Sequence, residues 1–258
     1  MRNGQIITVF AAKGGCGKTT LATNLAVVLH DGGARRVCLV DLDLESGDIA
    51  STLGLIPARS LADAIPYVGE LDAGRIASMM TSFRVGLDCL LAPAAPGDFS
   101  RIPVGLVSEL LALLPTVYDY IVVDTPARFS SYVLAALDAA DHQVLLTTPE
   151  RPALKSLRLT LDVLDLLPYD RGSRLIVFNR SDSDSDSDSG LTAGDVEAMV
   201  KSPIAGYLPS RVDVPASTNH GVPLASAQPD HVVSQAVRRL ADSLVATDRR
   251  SSRDPPER

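Results

Sequence analysis

Residues 13–20 read Lys-Gly-Gly-Cys-Gly-Lys-Thr-Thr, directly after the apolar run Ile6 to Ala11 and directly before the helical pattern Leu21 to Leu29. Nothing else in the chain constrains the fold as tightly, because strand, glycine-rich loop and helix in that order form the repeating unit of a parallel α/β sheet. Glycines let the backbone curl until its N–H groups converge, and the helix N-terminus aims a positive dipole at the same place. Such a place holds a phosphate. Gly14, Gly15, Cys16 and Gly17 supply the cradle, Lys18 neutralises the β- and γ-phosphates of a nucleotide, Thr19 offers its hydroxyl to Mg2+, and Thr20 joins the nucleotide-binding set. The plain alternative, a glycine turn without a ligand, requires Gly-Lys-Thr-Thr to fall at a strand-helix junction by chance. The usual pattern opens with glycine where this chain has Ala12, a methyl group the loop is expected to tolerate. Cys16 stands where any small apolar residue would serve, which favours packing over redox chemistry.

Further apolar runs rich in Val and Ile recur at Val37 to Leu42, Leu87 to Leu91, Tyr120 to Asp124, Val144 to Thr148 and Leu175 to Asn179. Between them lie segments of helical period, such as Leu154, Leu157, Leu161 and Leu164. The alternation predicts an α/β fold: a doubly wound, mostly parallel sheet with helices on both faces, the P-loop NTPase arrangement. At 258 residues, with 46% hydrophobic but only 4% aromatic content, the chain suits one domain over residues 1–246 with an aliphatic core. The polar, Pro-containing stretch 247–258 is expected to be a disordered tail, and the Ser-Asp alternation Ser181 to Ser189 a solvated loop.

In such a sheet the ligand crevice lies at the carboxyl ends of the strands, where this chain places Asp41, Asp43, Asp124 and Asn179. Asp41 and Asp43 are alternate residues and share a side; near Mg-ATP they can hold metal-bound water or orient the attacking water. In isolation they are equally two solvated strand-end acids. Tyr120-Ile-Val-Val-Asp124 is an apolar strand ending in an acid, the Walker B form, which places Asp124 beside Mg2+ or its water shell. By residue type Thr125-Pro126 reads as a structural turn. Asn179 offers a purine edge both a donor and an acceptor, although an Asn at a strand end also serves as a turn residue.

With Lys13 as a second lysine ahead of the glycine pair, the loop resembles that of the deviant Walker ATPases of the ParA/MinD superfamily. The resemblance implies an ATP hydrolase using ATP and Mg2+, partner-stimulated and slow, that closes into an ATP-sandwich homodimer. Lys13 would then reach the partner's phosphates; by its position alone it could be a surface charge. The implied catalytic set is Lys13, Lys18, Asp43 and Asp124, with Asp43 positioning water and Asp41 in support. Mg2+ would be held by Thr19 and, through water, by Asp41 and Asp124, and the nucleotide also by Asn179, Arg180 and Pro209. Five stretches resemble the CpaE/TadZ-type pilus-localisation ATPases: Asp41-Leu-Asp-Leu-Glu-Ser-Gly-Asp48, Leu145 to Lys155, Asn179-Arg-Ser-Asp, Leu208-Pro-Ser-Arg and Asn219-His-Gly-Val-Pro. These 258 residues hold no receiver-like domain of the kind often found ahead of that group, and the Ser-Asp loop looks longer. This branch implies a spatial organiser that works through protein partners.

Other uses of the fold leave different traces. A ParA-like partitioner would bind nonspecific DNA through a basic patch, and Arg151, Lys155 and Arg158 fall on one helical face at i, i+4 and i+7. Such charges also solvate a helix, and the resemblance makes the same helix a partner-binding face. A MinD-like membrane cycle calls for a terminal amphipathic helix; the stripe Val233, Val237, Leu240 and Leu244 is better explained by a helix covering the sheet. An iron-sulfur site needs paired ligands, which Cys38 and Cys89 lack by spacing. Against 24 basic residues stand 31 acidic ones, a net charge of -7, so nucleic acid or anionic lipid would have to bind a local patch. Three dispersed cysteines, no long apolar run and no signal peptide pattern fit a soluble, cytoplasmic protein, and the resemblance adds concentration at a pole, the nucleoid or a secretion machine.

Overall fold

The computed structural model describes residues 4–95, 97–181, 191 and 193–251. The chain alternates as expected. β1 (Gln5–Phe10) leads into α1 (Lys18–His30), then β2 (Val37–Asp41), α2 (Ile49–Thr52), α3 (Ala73–Met79), β3 (Thr81–Arg84) and β4 (Leu87–Leu90). α4 (Val104–Leu113), β5 (Tyr120–Asp124), α5 (Ser131–Asp138), β6 (His142–Thr147), α6 (Arg151–Leu164) and β7 (Arg174–Asn179) follow. α7 (Ala193–Val200), β8 (Gly206–Leu208), α8 (Asp213–Asn219), α9 (Leu224–Ala227) and α10 (Val232–Ser251) complete it. The strands form one sheet in the order β3-β4-β2-β5-β1-β6-β7-β8. All neighbours pair in parallel except β3, which runs antiparallel to β4 at one edge.

Both faces of the sheet are covered, so its strands are apolar at successive positions and the period of two sorts them between two cores. Ile7, Val9, Leu39, Val122 and Val177 point to the face that α1 and α10 close with Leu21, Leu25, Val237, Leu240 and Leu244. Ile6, Val40, Ile121 and Val123 meet α3 and α4 on the other face, and Phe10, Leu145 and Ile176 meet α6 and α7. The stripe Leu154, Leu157, Leu161 and Leu164 is buried there as its spacing demands. Each such side chain contributes about 1.5–3 kcal/mol by leaving water.

β3 and β8 escaped the pattern search. β3 is a half-buried edge strand of mixed residues and β8 has three residues, so neither carries a long apolar run. α10 also passes the expected boundary at residue 247 and continues to Ser251, since no Pro or Gly interrupts it before Pro255. Residues 252–258 of the expected tail, and 182–190 of the Ser-Asp segment, lie outside the described residues. Ser181 itself is buried, its N–H donating to the Leu208 carbonyl at 2.9 Å, which extends the β7–β8 pairing by one residue.

Candidate nucleotide-binding site

β1 ends at the edge of a crevice bounded by the carboxyl ends of β2, β5 and β7, and the loop 11–17 turns there into α1. Gly15 (φ 76°) and Gly17 (φ 92°) take left-handed conformations that L side chains rarely adopt. Ala12 does not, so its methyl group costs no backbone strain. A Cβ at Gly14 or Gly15 would meet no atom within 4 Å, so the loop faces open space on that side. A Cβ at Gly17 would come within 2.5 Å of Asn179 Nδ2. Lys18 lies buried at the first position of α1, and Lys13 is exposed at the loop's outer end.

Parallel pairing of β2 with β5 sets Asp41 opposite Asp124 in register, about 4.8 Å apart along the hydrogen-bonding direction. Both carboxylates are buried, Asp41 at 1% exposure and Asp124 at 0%. Thr19 Oγ1 donates to Asp124 Oδ2 at 2.5 Å, and the Thr125 amide donates to Asp124 Oδ1 at 3.1 Å. Burial pushes the Asp124 carboxyl up to about 7; Thr19 and Lys18 pull it back, and the charge of Asp43 adds to the rise. Burial also raises Asp41 well above the usual carboxylate range, with the Asp124 charge second. Asp41 commits its oxygens to the backbone: Oδ1 accepts from the Asp43 amide and Oδ2 from the Ile49 amide, each at 3.1 Å. Asp41 thereby anchors the loop leading to α2, because two N–H groups there need an acceptor. Asp43 sits half-buried on that loop; burial raises its carboxyl and the Lys18 charge lowers it.

The crevice fits a magnesium nucleotide on this chain's own features. A buried lysine, a threonine hydroxyl at a helix N-terminus and a desolvated carboxylate 2.5 Å from it attract an anion and a hard cation respectively. Among the described residues no cluster of three His, Cys, Asp or Glu could hold a metal ion by itself.

Beyond the loop opens a cleft of 530 Å³ lined by Gly17, Thr20, Asn179, Arg180 and Pro209 together with residues of α8, α9 and α10. Asn179 lines this cleft with both ends of its amide bonded within the chain. Its Nδ2 donates to the Cys16 carbonyl at 2.7 Å and its Oδ1 accepts from the Arg180 amide at 2.9 Å, so the side chain braces the phosphate loop. Arg180, at φ 56°, donates to the Gly15 carbonyl at 3.0 Å. Cys16 is buried against Thr148, and burial raises its thiol, consistent with packing. Thr125 Oγ1 donates to the Val9 carbonyl at 2.7 Å and ties β5 to β1.

Arg151, Lys155 and Arg158 lie on α6, which starts beside the phosphate loop where Thr148 meets Cys16, and do not act alike. Arg158 pairs with Asp162 and donates to the Val200 carbonyl, which leaves Arg151 and Lys155 as the exposed cations of that trio. The sequence reading missed the wall of the cleft: Leu21, Asn24, Leu208, Val212, Thr218 and Leu224. Its legible traces were the quoted stretches at Leu208 and Asn219 and the polar Asn24 inside the helical run of α1.

The fold and this loop define a P-loop nucleotide-binding domain. Residues 7–224 match the CbiA family, the CobQ/CobB/MinD/ParA nucleotide binding domain, and the chain belongs to that family. It is 25% identical over 242 residues to the septum site-determining protein MinD of Bacillus subtilis, covering 94% of this chain and 89% of that protein. Among solved structures, the ParA family ATPase from Chlorobium tepidum superposes with a TM-score of 0.85 at 26% identity, covering 92% of this chain and 98% of that one. MinD of Pyrococcus horikoshii complexed with Mg-ADP shares the fold, with a TM-score of 0.80 at 23% identity over 95% of this chain and 97% of that one. No helix among the described residues is long and apolar enough to cross a membrane.

Proposed function

We propose that the chain is an ATP hydrolase that binds Mg-ATP in this crevice and uses the bound triphosphate to close a homodimer. The observation that carries the reading is the Thr19–Asp124 hydrogen bond at the start of α1 with buried Lys18 beside it. Mg2+ would supply charge neutralisation between the phosphates. Thr19 and Asp124 would hold it, and the amides of residues 14–17 and Lys18 would hold the phosphates; phosphoryl transfer needs this positioning more than covalent chemistry. Asp43, half-buried within the field of Lys18, orients the attacking water. Lys13, exposed at the rim, reaches the phosphates of a second copy. Arg180 and Pro209 border the base and sugar side. Lys18→Ala is expected to abolish nucleotide binding, Lys13→Ala to spare binding but lose the dimer, and Asp43→Ala to accumulate an ATP dimer, all read by nucleotide titration and light scattering. A dimer indifferent to Lys13→Ala would sink the sandwich.

The finer role we favour is a spatial organiser of the CpaE/TadZ type, acting on protein partners. Its support is the set of strand-end motifs, the net charge of -7 and the withdrawal of Arg158 from the α6 patch. A MinD-like membrane cycle gains nothing from the α10 stripe, because Val233, Val237, Leu240 and Leu244 are buried against the sheet. Asp43→Ala protein with Mg-ATP, mixed with nonspecific duplex DNA across a salt series, separates the readings. Tight binding that falls steeply with salt would favour a ParA-like partitioner instead.

A further inference from the structure

We propose that Asn24 is the positioning residue that holds the base side of the cleft in register with the phosphate loop; this rests on reading the cleft as the nucleotide site. Asn24 lies inside α1, 6% exposed, and lines the cleft. Its Nδ2 donates to the Thr20 carbonyl at 2.8 Å, in the helical turn that carries the phosphate-binding residues. Its Oδ1 accepts from the Ala225 amide at 2.8 Å, a buried contact across 201 residues of sequence. α9 begins after Pro223, which has no side-chain acceptor, so the orphan N–H groups of its first turn depend on outside partners. Asn24 supplies one.

The segment capped in this way matters because Thr218, Asn219 and Leu224 form the outer wall of the cleft. Its other polar ties lead elsewhere, and Ala225 itself lies in the apolar core that α1 closes. Arg84 donates to Ser226 from edge strand β3, Asp213 faces His231 at 3.5 Å, and Gly221 rests on the backbone of Gly54. Asn24 alone among these links the wall to the helix whose N-terminus faces the phosphates. Removing it frees the wall to shift relative to α1 without disturbing Gly14–Thr19. The base side of the nucleotide should then lose contacts that the phosphate side keeps.

Binding of Mg-ATP and of Mg-tripolyphosphate to Asn24→Ser protein, measured by calorimetry, tests this. A serine hydroxyl bonds back to the i−4 carbonyl, as Thr23 Oγ1 does to Thr19, and is too short to reach Ala225. ATP affinity is expected to fall about tenfold, equivalent to about 1.4 kcal/mol, with tripolyphosphate affinity unchanged. Asn24→Asp keeps an acceptor for the Ala225 amide but sets a carboxylate oxygen against the Thr20 carbonyl, so its ATP affinity is expected to fall together with that for tripolyphosphate, their ratio staying near wild type. Equal loss for both ligands in the Ser variant, or no loss for either, overturns the role of Asn24. If Asn24→Ser does not fold, the Asp variant decides alone: an ATP affinity as weak as that for tripolyphosphate overturns the assignment. Wild-type protein that binds tripolyphosphate but not ATP overturns the reading of the cleft itself.

Discussion

Gly17 concentrates the demands on the site into one residue. It ends the loop at φ 92°, and the space its Cβ would take is held by Asn179 Nδ2 at 2.5 Å. Gly17→Ala therefore combines left-handed strain with displacement of the side chain that braces the Cys16 carbonyl. A loss of about 1–3 kcal/mol is expected in urea unfolding, along with weaker nucleotide binding. Asp124 sets a second residue-scale expectation, through pH. Its carboxyl titrates near 4 in an unfolded chain and is pushed up to about 7 by burial in the fold. The folded state thus holds the proton more tightly between those values, so nucleotide-free stability falls as pH rises through that window. Thermal unfolding between pH 5 and 8 should show the decline, and Asp124→Asn should lessen it, Asp41 being raised by burial as well.

At the scale of elements, the helices around the crevice start where local chemistry allows. α5 opens at Ser130, whose backbone is extended and whose hydroxyl accepts from the Val133 amide at 3.3 Å. Ser130→Ala is expected to lower stability by about 1 kcal/mol, measured as a shift of the urea midpoint. α5 follows directly on the loop after Asp124, where Arg128 pairs with Glu45 of the loop after β2 and Phe129 meets Phe10 with ring centroids 4.9 Å apart. The loops that carry Asp43 and follow Asp124 are therefore joined across the crevice. α10 belongs to a different class of element: its apolar stripe covers the sheet beside α1, so it acts as a wall of the site.

Over the whole molecule, the strand order β2-β5-β1-β6-β7 brings residues far apart in sequence to one edge. The phosphate loop leaves β1 at the centre, the acids leave β2 and β5 on one side, and Asn179 and Arg180 leave β7 two strands away on the other. On the proposed reading this spread would separate the phosphate chemistry from the base, and it leaves Lys13 exposed on the rim. Charge at this scale also limits partners. With a net charge of -7 and Arg158 held by Asp162, α6 offers nucleic acid two exposed cations, Arg151 and Lys155.

The phosphate loop, the main parallel strands and the acid at the end of β5 were legible in sequence because each is a local pattern: glycines at a strand-helix junction, or an apolar run ending in a carboxylate. Asp41 and Asn179 were found at their strand ends, but their partners were not, since the Ile49 amide and the Cys16 carbonyl reach them only through tertiary folding. The edge strands β3 and β8 were missed because pairing, rather than composition, makes them strands. Asn24 shows the division most plainly. Its place in an apolar helix run was visible in sequence, but its meaning came from an amide 201 residues away. Hydrophobic period and backbone conformation act between neighbours in the chain and are written there, whereas hydrogen bonds between distant segments exist only once the sheet has set their register.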